Sequence, residues 1–127
     1  DFTPSEFDPR VQESDKTRDE QIERAVKAVA KLQSRGVKVL FVRAPSTGPY
    51  LEYDNRLFPR ATSWDVLLAK TGAPGIHFED YPELQGLEQP EWSHLSYADA
   101  KKFTAALHAI VVRDFWKPEP VAGQPAP

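Results

Sequence analysis

The stretch Arg35-Gly36-Val37-Lys38-Val39-Leu40-Phe41-Val42-Arg43-Ala44-Pro45 decides the fold. Gly36 supplies a left-handed stop for whatever helix precedes it. Val37 to Val42 then form a nearly continuous β-branched and aromatic run closed by Pro45, the pattern of a strand buried on both faces in a parallel sheet. Upstream, Thr17-Arg18-Asp19-Glu20 carries a capping box, and Ile22, Ala25, Val26, Val29 and Leu32 recur at helical spacing up to Gly36. Helix, glycine and buried strand together make an αβ unit. Ahead of it, residues 1–16 mix proline, charge and Phe2 and Phe7 without a period, and read as an extended arm whose phenylalanines dock on a surface.

Downstream, Ser46 to Ala61 contains Gly48, Pro49 and Pro59, which predicts a long irregular loop leaving the strand. Thr62 and Asp65 are positioned to cap a short helix with Trp64, Leu67 and Leu68 on its buried side and Gly72 at its end. A second strand is expected in Gly75-Ile76-His77-Phe78-Glu79-Asp80, with Ile76 and Phe78 on one face and His77 and Glu79 on the other. A further loop leads to Ser96 and Asp99, the cap of a last helix striped by Phe103, Ala106, Leu107, Ile110 and Val111. Residues 117–127 are rich in proline, have little to bury and read as a disordered tail.

The order α-β-loop-α-β-loop-α predicts one layered αβα domain over residues 17–116, with a small parallel sheet and both long loops at the strands' carboxyl ends, where such folds place ligands. Two strands alone leave hydrogen-bonding edges open, so further strands are expected from irregular segments or another polypeptide.

At 127 residues, of which 40% are hydrophobic, a second domain is not expected. The net charge of −3, with Lys and Arg scattered among acids, provides no broad positive field and argues against nucleic acid as a partner. No cysteine is present, which removes disulfides, thiolate nucleophiles and thiolate metal sites and fits either a periplasmic or secreted setting or a cytoplasmic one. No apolar run approaches the roughly 20 residues that span a bilayer. The absence of Met reads as a polypeptide from which a signal peptide, anchor or domain has been removed upstream.

The chemistry-bearing candidate is the loop before the last helix, Pro90-Glu91-Trp92-Ser93-His94-Leu95-Ser96. A lone histidine stands there with a carboxylate three residues earlier. Such a histidine is either a polar loop residue bonded to backbone or a general base whose carboxylate neighbour orients the ring. Trp92 is either packing beside a helix start or the wall of a substrate pocket.

"GVKVLFVRAP" with its following loop, and "GIHFEDYPEL" followed by "EWSHLSYADAKKFTAAL", resemble the C-terminal half of the SGNH (GDSL-type) hydrolases and acyltransferases over roughly residues 17–115. The family's last catalytic block, Asp-x-x-His followed by Leu and a small polar helix cap, aligns with Glu91-Trp92-Ser93-His94-Leu95-Ser96. The resemblance implies a flavodoxin-like second half and a catalytic pair in which His94 is the general base and Glu91, one methylene longer than the family's Asp, orients it. The family's Gly-Asp-Ser-type nucleophile turn and its oxyanion Gly and Asn have no counterpart in this chain. The implied function is therefore the C-terminal portion of an ester hydrolase or O-acyltransferase, inactive alone, acting on an acyl ester or sugar hydroxyl with a serine from an upstream segment of the same protein. A homo-oligomer is the other expected partner, and a non-catalytic α/β interaction module using Phe2, Phe7 and the open sheet edge is the alternative function.

Other candidates are weaker in pattern. Ser46, with Gly48 in the turn after the first strand, is the local serine candidate and is expected beside substrate, although the family places no nucleophile there. His77, Glu79, Asp80 and His94 lack the spacing of a metal site, and neither metal nor cofactor is implied. Arg43, Arg56 and Arg60 lie where an anionic substrate would meet the first loop, or are simply solvated. His108 shares a face with Thr104 and Lys101 and is expected to be exposed.

Overall fold

The computed structural model describes residues 9–117 and residue 123. The expectations placed on Phe2, Phe7 and nearly all of the tail lie outside them. The remaining chain is mostly helical around a two-stranded parallel sheet, a mixed α/β architecture.

Helix α1 covers Pro9–Ser34. The helix is thus already formed at the first described residue, eight positions ahead of Thr17. The extended arm therefore does not reach residue 16, and Thr17 and Glu20 lie inside the helix instead of capping it. Gly36 ends the segment as expected, at φ +77°, with the N–H of Val37 reaching back to the carbonyl of Leu32 at 3.1 Å.

Strand β1 is short, Phe41–Arg43, and pairs in parallel with β2, Gly75–His77, in the register Phe41 with Gly75, Val42 with Ile76 and Arg43 with His77. The expectation of a doubly buried strand fails on exposure, since Val37 and Val42 remain 44% and 40% accessible. The physical reason is the sheet itself: among the described residues only one edge of β1 has a partner strand, and Val42 is only partly covered.

The expected loop after β1 is largely helix α2, Gly48–Leu57, with Pro49 in its first turn. Proline interrupts a helix interior but is tolerated in its first turn, so the sequence that reads as a breaker is a start. No α2 residue is fully buried; Asp54 ties the helix to β1 through Arg43 at 2.6 Å, and Leu51 packs against the core.

Helix α3, Trp64–Thr71, ends at Gly72 in the left-handed conformation, as the sequence predicts. Its N-terminus differs from expectation, because Thr62 Oγ1 donates to the Pro59 carbonyl and Ser63 takes the capping position without a side-chain cap bond. Strand β2 stops at His77 and passes directly into a 3-10 turn, Phe78–Asp80. Consequently Ile76, His77 and Phe78 are all buried, and the face bearing His77 is covered by Trp64 of α3, edge-on at 5.3 Å.

Helix α4, Tyr97–Ile110, carries the expected cap, with the Asp99 N–H donating to Ser96 Oγ at 3.2 Å. The Asp99 carboxylate does not complete the box but accepts from the Glu88 N–H at 2.6 Å, tethering the preceding loop. Its stripe closes the main core: Ile110 joins Ile76, Phe78 and Leu84, with Phe103, Ala106, Leu107 and Val111 packed around them. His108 is exposed. The sheet thus has α4 on one side and α3 with α1 on the other.

Gly75 fixes that second layer. A Cβ there would lie 2.6 Å from Trp64 Cζ2 and 2.9 Å from a Leu68 methyl, so α3 sits on β2 only because the side chain is missing. Gly75→Ala is expected to destabilise the fold by about 1–3 kcal/mol through overpacking. Gly72→Ala, strained in backbone but with nothing within 4 Å, should cost about 1 kcal/mol. Urea unfolding of both variants checks the ranking; equal losses would mean that α3 is not seated as described.

Candidate functional site

The loop carrying His94 is held against the loop that leaves the carboxyl end of β1. The Thr47 N–H donates to the Trp92 carbonyl at 2.9 Å, and Gln89 Nε2 donates to the Pro45 carbonyl at 2.6 Å. Gly48, at φ +56°, lets the indole lie close, since a Cβ there would meet Trp92 Cδ1 at 3.0 Å. Trp92 itself has φ 67°, a region a non-glycine residue adopts at some cost, repaid here by the backbone bond and the indole packing.

That turn coils Glu91 back on His94. Glu91 Oε1 lies 2.6 Å from the His94 N–H nitrogen and 2.6 Å from His94 Nδ1, while Ser93 Oγ donates to the same carboxylate at 2.8 Å and lies 3.1 Å from Nδ1. Hydrogen bonds from Ser93 and then from His94 hold the Glu91 carboxyl below its ordinary value, so it is ionised at neutral pH. A carboxylate on Nδ1 assigns the ring proton there and leaves Nε2 as the acceptor. The two side chains are open to solvent, His94 86% and Glu91 59% exposed, so Nε2 is accessible to another group.

The other expected site residues divide. Trp92 is half exposed and serves first to clamp the two loops. Ser46, in contrast, is 2% exposed, and its hydroxyl accepts from Arg43 Nη2 at 3.3 Å; its surroundings are those of a buried structural hydroxyl, which disagrees with an expected place beside substrate. Arg43 is engaged with Asp54, and Arg60 with both oxygens of Asp80 at 2.7 and 2.8 Å, so these two cations are neutralised within the chain. Among the described residues no group of three His, Asp or Glu side chains is arranged to hold a metal ion, and no helix is long and apolar enough to cross a membrane.

A second arrangement has no counterpart in the sequence reading. The sheet face bearing Phe41, Arg43 and His77 looks toward α1 and α3 across a cavity of about 440 Å³. His77 stacks on Phe78, and its Nδ1 accepts the Glu79 N–H at 3.2 Å. Burial, and next the positive charge of Arg60, lower its pKa, so the ring is neutral. The signal that locates this site is a polar residue at the third position of each apolar strand, Phe-Val-Arg and Gly-Ile-His, which the parallel register sets side by side.

Compared with protein-family models, curated proteins and solved structures, the chain matches none.

Two measurements test these geometries. The 15N shifts of the His94 ring are expected to report the Nδ1–H tautomer, and Glu91→Ala should move the ring toward Nε2–H; an unchanged tautomer would mean that the carboxylate does not orient it. His77 binds protons less readily folded than unfolded, so its contribution to stability is complete above the unfolded value of 6.5 and declines as pH falls below it. Thermal unfolding between pH 7 and 5 should show this loss, and His77→Gln should flatten it within that window.

Proposed function

We propose that this chain is the C-terminal part of an SGNH-type ester hydrolase or O-acyltransferase in which His94 is the general base and Glu91 its orienting carboxylate. The observation that carries the reading is the 2.6 Å contact between Glu91 Oε1 and His94 Nδ1, in a loop pinned to the carboxyl end of a parallel strand. In the proposed reaction a serine hydroxyl on a segment outside this sequence attacks an acyl carbonyl. His94 Nε2 takes the hydroxyl proton, and the Glu91 carboxylate stabilises the resulting imidazolium through Nδ1–H. The proton then passes to the leaving alcohol, giving an acyl-serine. Water or a sugar hydroxyl attacks the acyl-serine, again delivering its proton to Nε2, and that proton passes to the serine oxygen as the acyl bond breaks, restoring the hydroxyl and the neutral ring. The partly exposed Val42 and the edge of β1 that has no partner strand among the described residues favour a segment that continues the sheet there, from the same polypeptide upstream.

The same open edge favours a second reading, a non-catalytic α/β module that pairs through β1 with a partner or another copy of itself.

Hydrolysis of a short acyl ester is expected only from a polypeptide that includes the upstream segment, and His94→Ala in it should lower kcat by about 10²- to 10⁴-fold. Activity that survives His94→Ala, or an upstream segment without a serine turn, would sink the catalytic reading. Light scattering separates the second reading: self-association that Val42→Lys abolishes supports it, and a monomer that binds no partner through this edge removes it.

A further inference from the structure

The cavity between the sheet and the layer of α1 and α3 is a candidate small-molecule site independent of His94 and Glu91. Its walls include Phe41 from β1, Phe58 from the end of α2, Trp64 and Leu67 from α3, and Ile22 and Ala25 from α1. Its volume, about 440 Å³, falls in the range of small-ligand pockets, which are mostly apolar with a few convergent polar groups. Three aromatic rings around one space suit a flat or branched apolar body.

The polar floor defines what that body must carry. His77 lines the cavity and is 6% exposed. Its Nδ1 is occupied by the Glu79 N–H, so the proton of the neutral ring lies on Nε2, and Nε2 has no protein partner in the structure. That N–H opens onto the cavity, where the oxygen of a ligand can accept it. Three guanidinium groups also border the cavity, which at first sight favours an anion. Each is already matched: Arg18 by Asp15 and Asp19 at 3.0 Å, Arg43 by Asp54 at 2.6 Å, and Arg60 by Asp80 at 2.7 Å. An anionic ligand would meet guanidinium groups whose charge is already balanced and would lie beside the Asp54 carboxylate on the same wall, whereas a neutral acceptor need only meet the open N–H.

We infer that this cavity binds a small neutral carbonyl compound, an amide, ester or ketone with an aromatic or branched apolar group, its oxygen accepting from His77 Nε2–H and its body lying among Phe41, Phe58 and Trp64. The charged groups that act on the ring are Arg43 on β1, Arg60 before α3, and Glu79 and Asp80 after β2; burial and Arg60 favour the neutral form, in which Nδ1 accepts from Glu79 and Nε2 donates.

The test is titration of the chain with N-benzylacetamide, toluene and phenylacetate, followed by the NMR signals of the Trp64 indole and the His77 ring. N-benzylacetamide is expected to shift both signals and to bind about three- to tenfold more tightly than toluene, the worth of one buried hydrogen bond, and more tightly than phenylacetate. His77→Phe should reduce N-benzylacetamide to the affinity of toluene, while His77→Gln, which keeps a donor, retains most of the difference. Ala25→Leu, directed into the cavity from α1, should abolish binding of both with the helical circular dichroism intact. The inference is overturned if N-benzylacetamide binds no better than toluene, if phenylacetate binds best, if shifts arise away from Trp64 and His77, or if nothing binds at millimolar concentration. Where His77→Phe fails to fold, the ranking of the three probes on the unaltered chain decides. Since neither His94 nor Glu91 takes part, this outcome is separate from that of the ester-hydrolysis assay.

Discussion

Three parallel residue pairs, Phe41 with Gly75, Val42 with Ile76 and Arg43 with His77, fix where everything else in this domain lies. Because alternate residues of a strand face opposite ways, the pairing puts Phe41, Arg43, Gly75 and His77 on one face and Val42 and Ile76 on the other. The first face receives α3, which the missing Cβ of Gly75 admits to van der Waals contact, and the second receives α4 through Ile110. Parallel pairing also sends both strands out at the same end, so the loop after β1 meets the loop that begins α4. A two-strand sheet is too small to bury both of its faces fully, and the residue that reports this is Val42.

The core around Ile76 and the cavity beside His77 are consequences of the same geometry with opposite chemical outcomes. On the α4 side every inward position is apolar, and the packing closes around Ile76, Leu84 and Ile110, each exposed 1% or less. On the α1 side the inward positions of the strands end in Arg43 and His77, which cannot be packed against aliphatic side chains without satisfying their charge and hydrogen bonds. Arg43 is satisfied by Asp54 and Ser46, which draws α2 and the Ser46 turn inward, and its guanidinium lies 6.0 Å from the Phe78 ring centroid. His77 is satisfied at Nδ1 alone. The incomplete closure of this face is therefore a matter of residue type at two positions in register.

Much of this was legible in the sequence where periodicity and local signals agree. The Ser96 cap and the α4 stripe, the Gly36 and Gly72 stops, and the order of alternating helices and strands each depend on residues close together in the chain. Three features were not legible for identifiable reasons. Pro49 reads as a loop former, and only its place in the first turn of α2 turns it into a helix starter. Thr17 and Glu20 have the spacing of a cap, but a helix already formed from Pro9 onward makes them ordinary exposed positions. The cavity draws on residues from α1 to β2 that no local spacing connects, so Trp64 and His77 could be assigned only to packing and to a strand face until the register was known.

The His94 loop shows how a glutamate can place one oxygen against both the backbone N–H and the ring of the residue three positions on. Glu91 has one methylene more than an aspartate, which in an ordinary turn would carry its oxygens past the ring. The left-handed Trp92 tightens the turn, so that one oxygen reaches both the backbone N–H and Nδ1 of the residue three positions on. Such a backbone costs about 1–2 kcal/mol for a residue with a Cβ and persists only where its surroundings hold it. Those surroundings are the Thr47 N–H on the Trp92 carbonyl and the space that Gly48 leaves for the indole. The orientation of an exposed histidine is in this way set by contacts to the first strand's loop, and the strain in the turn is offset at the junction that holds the loop in place.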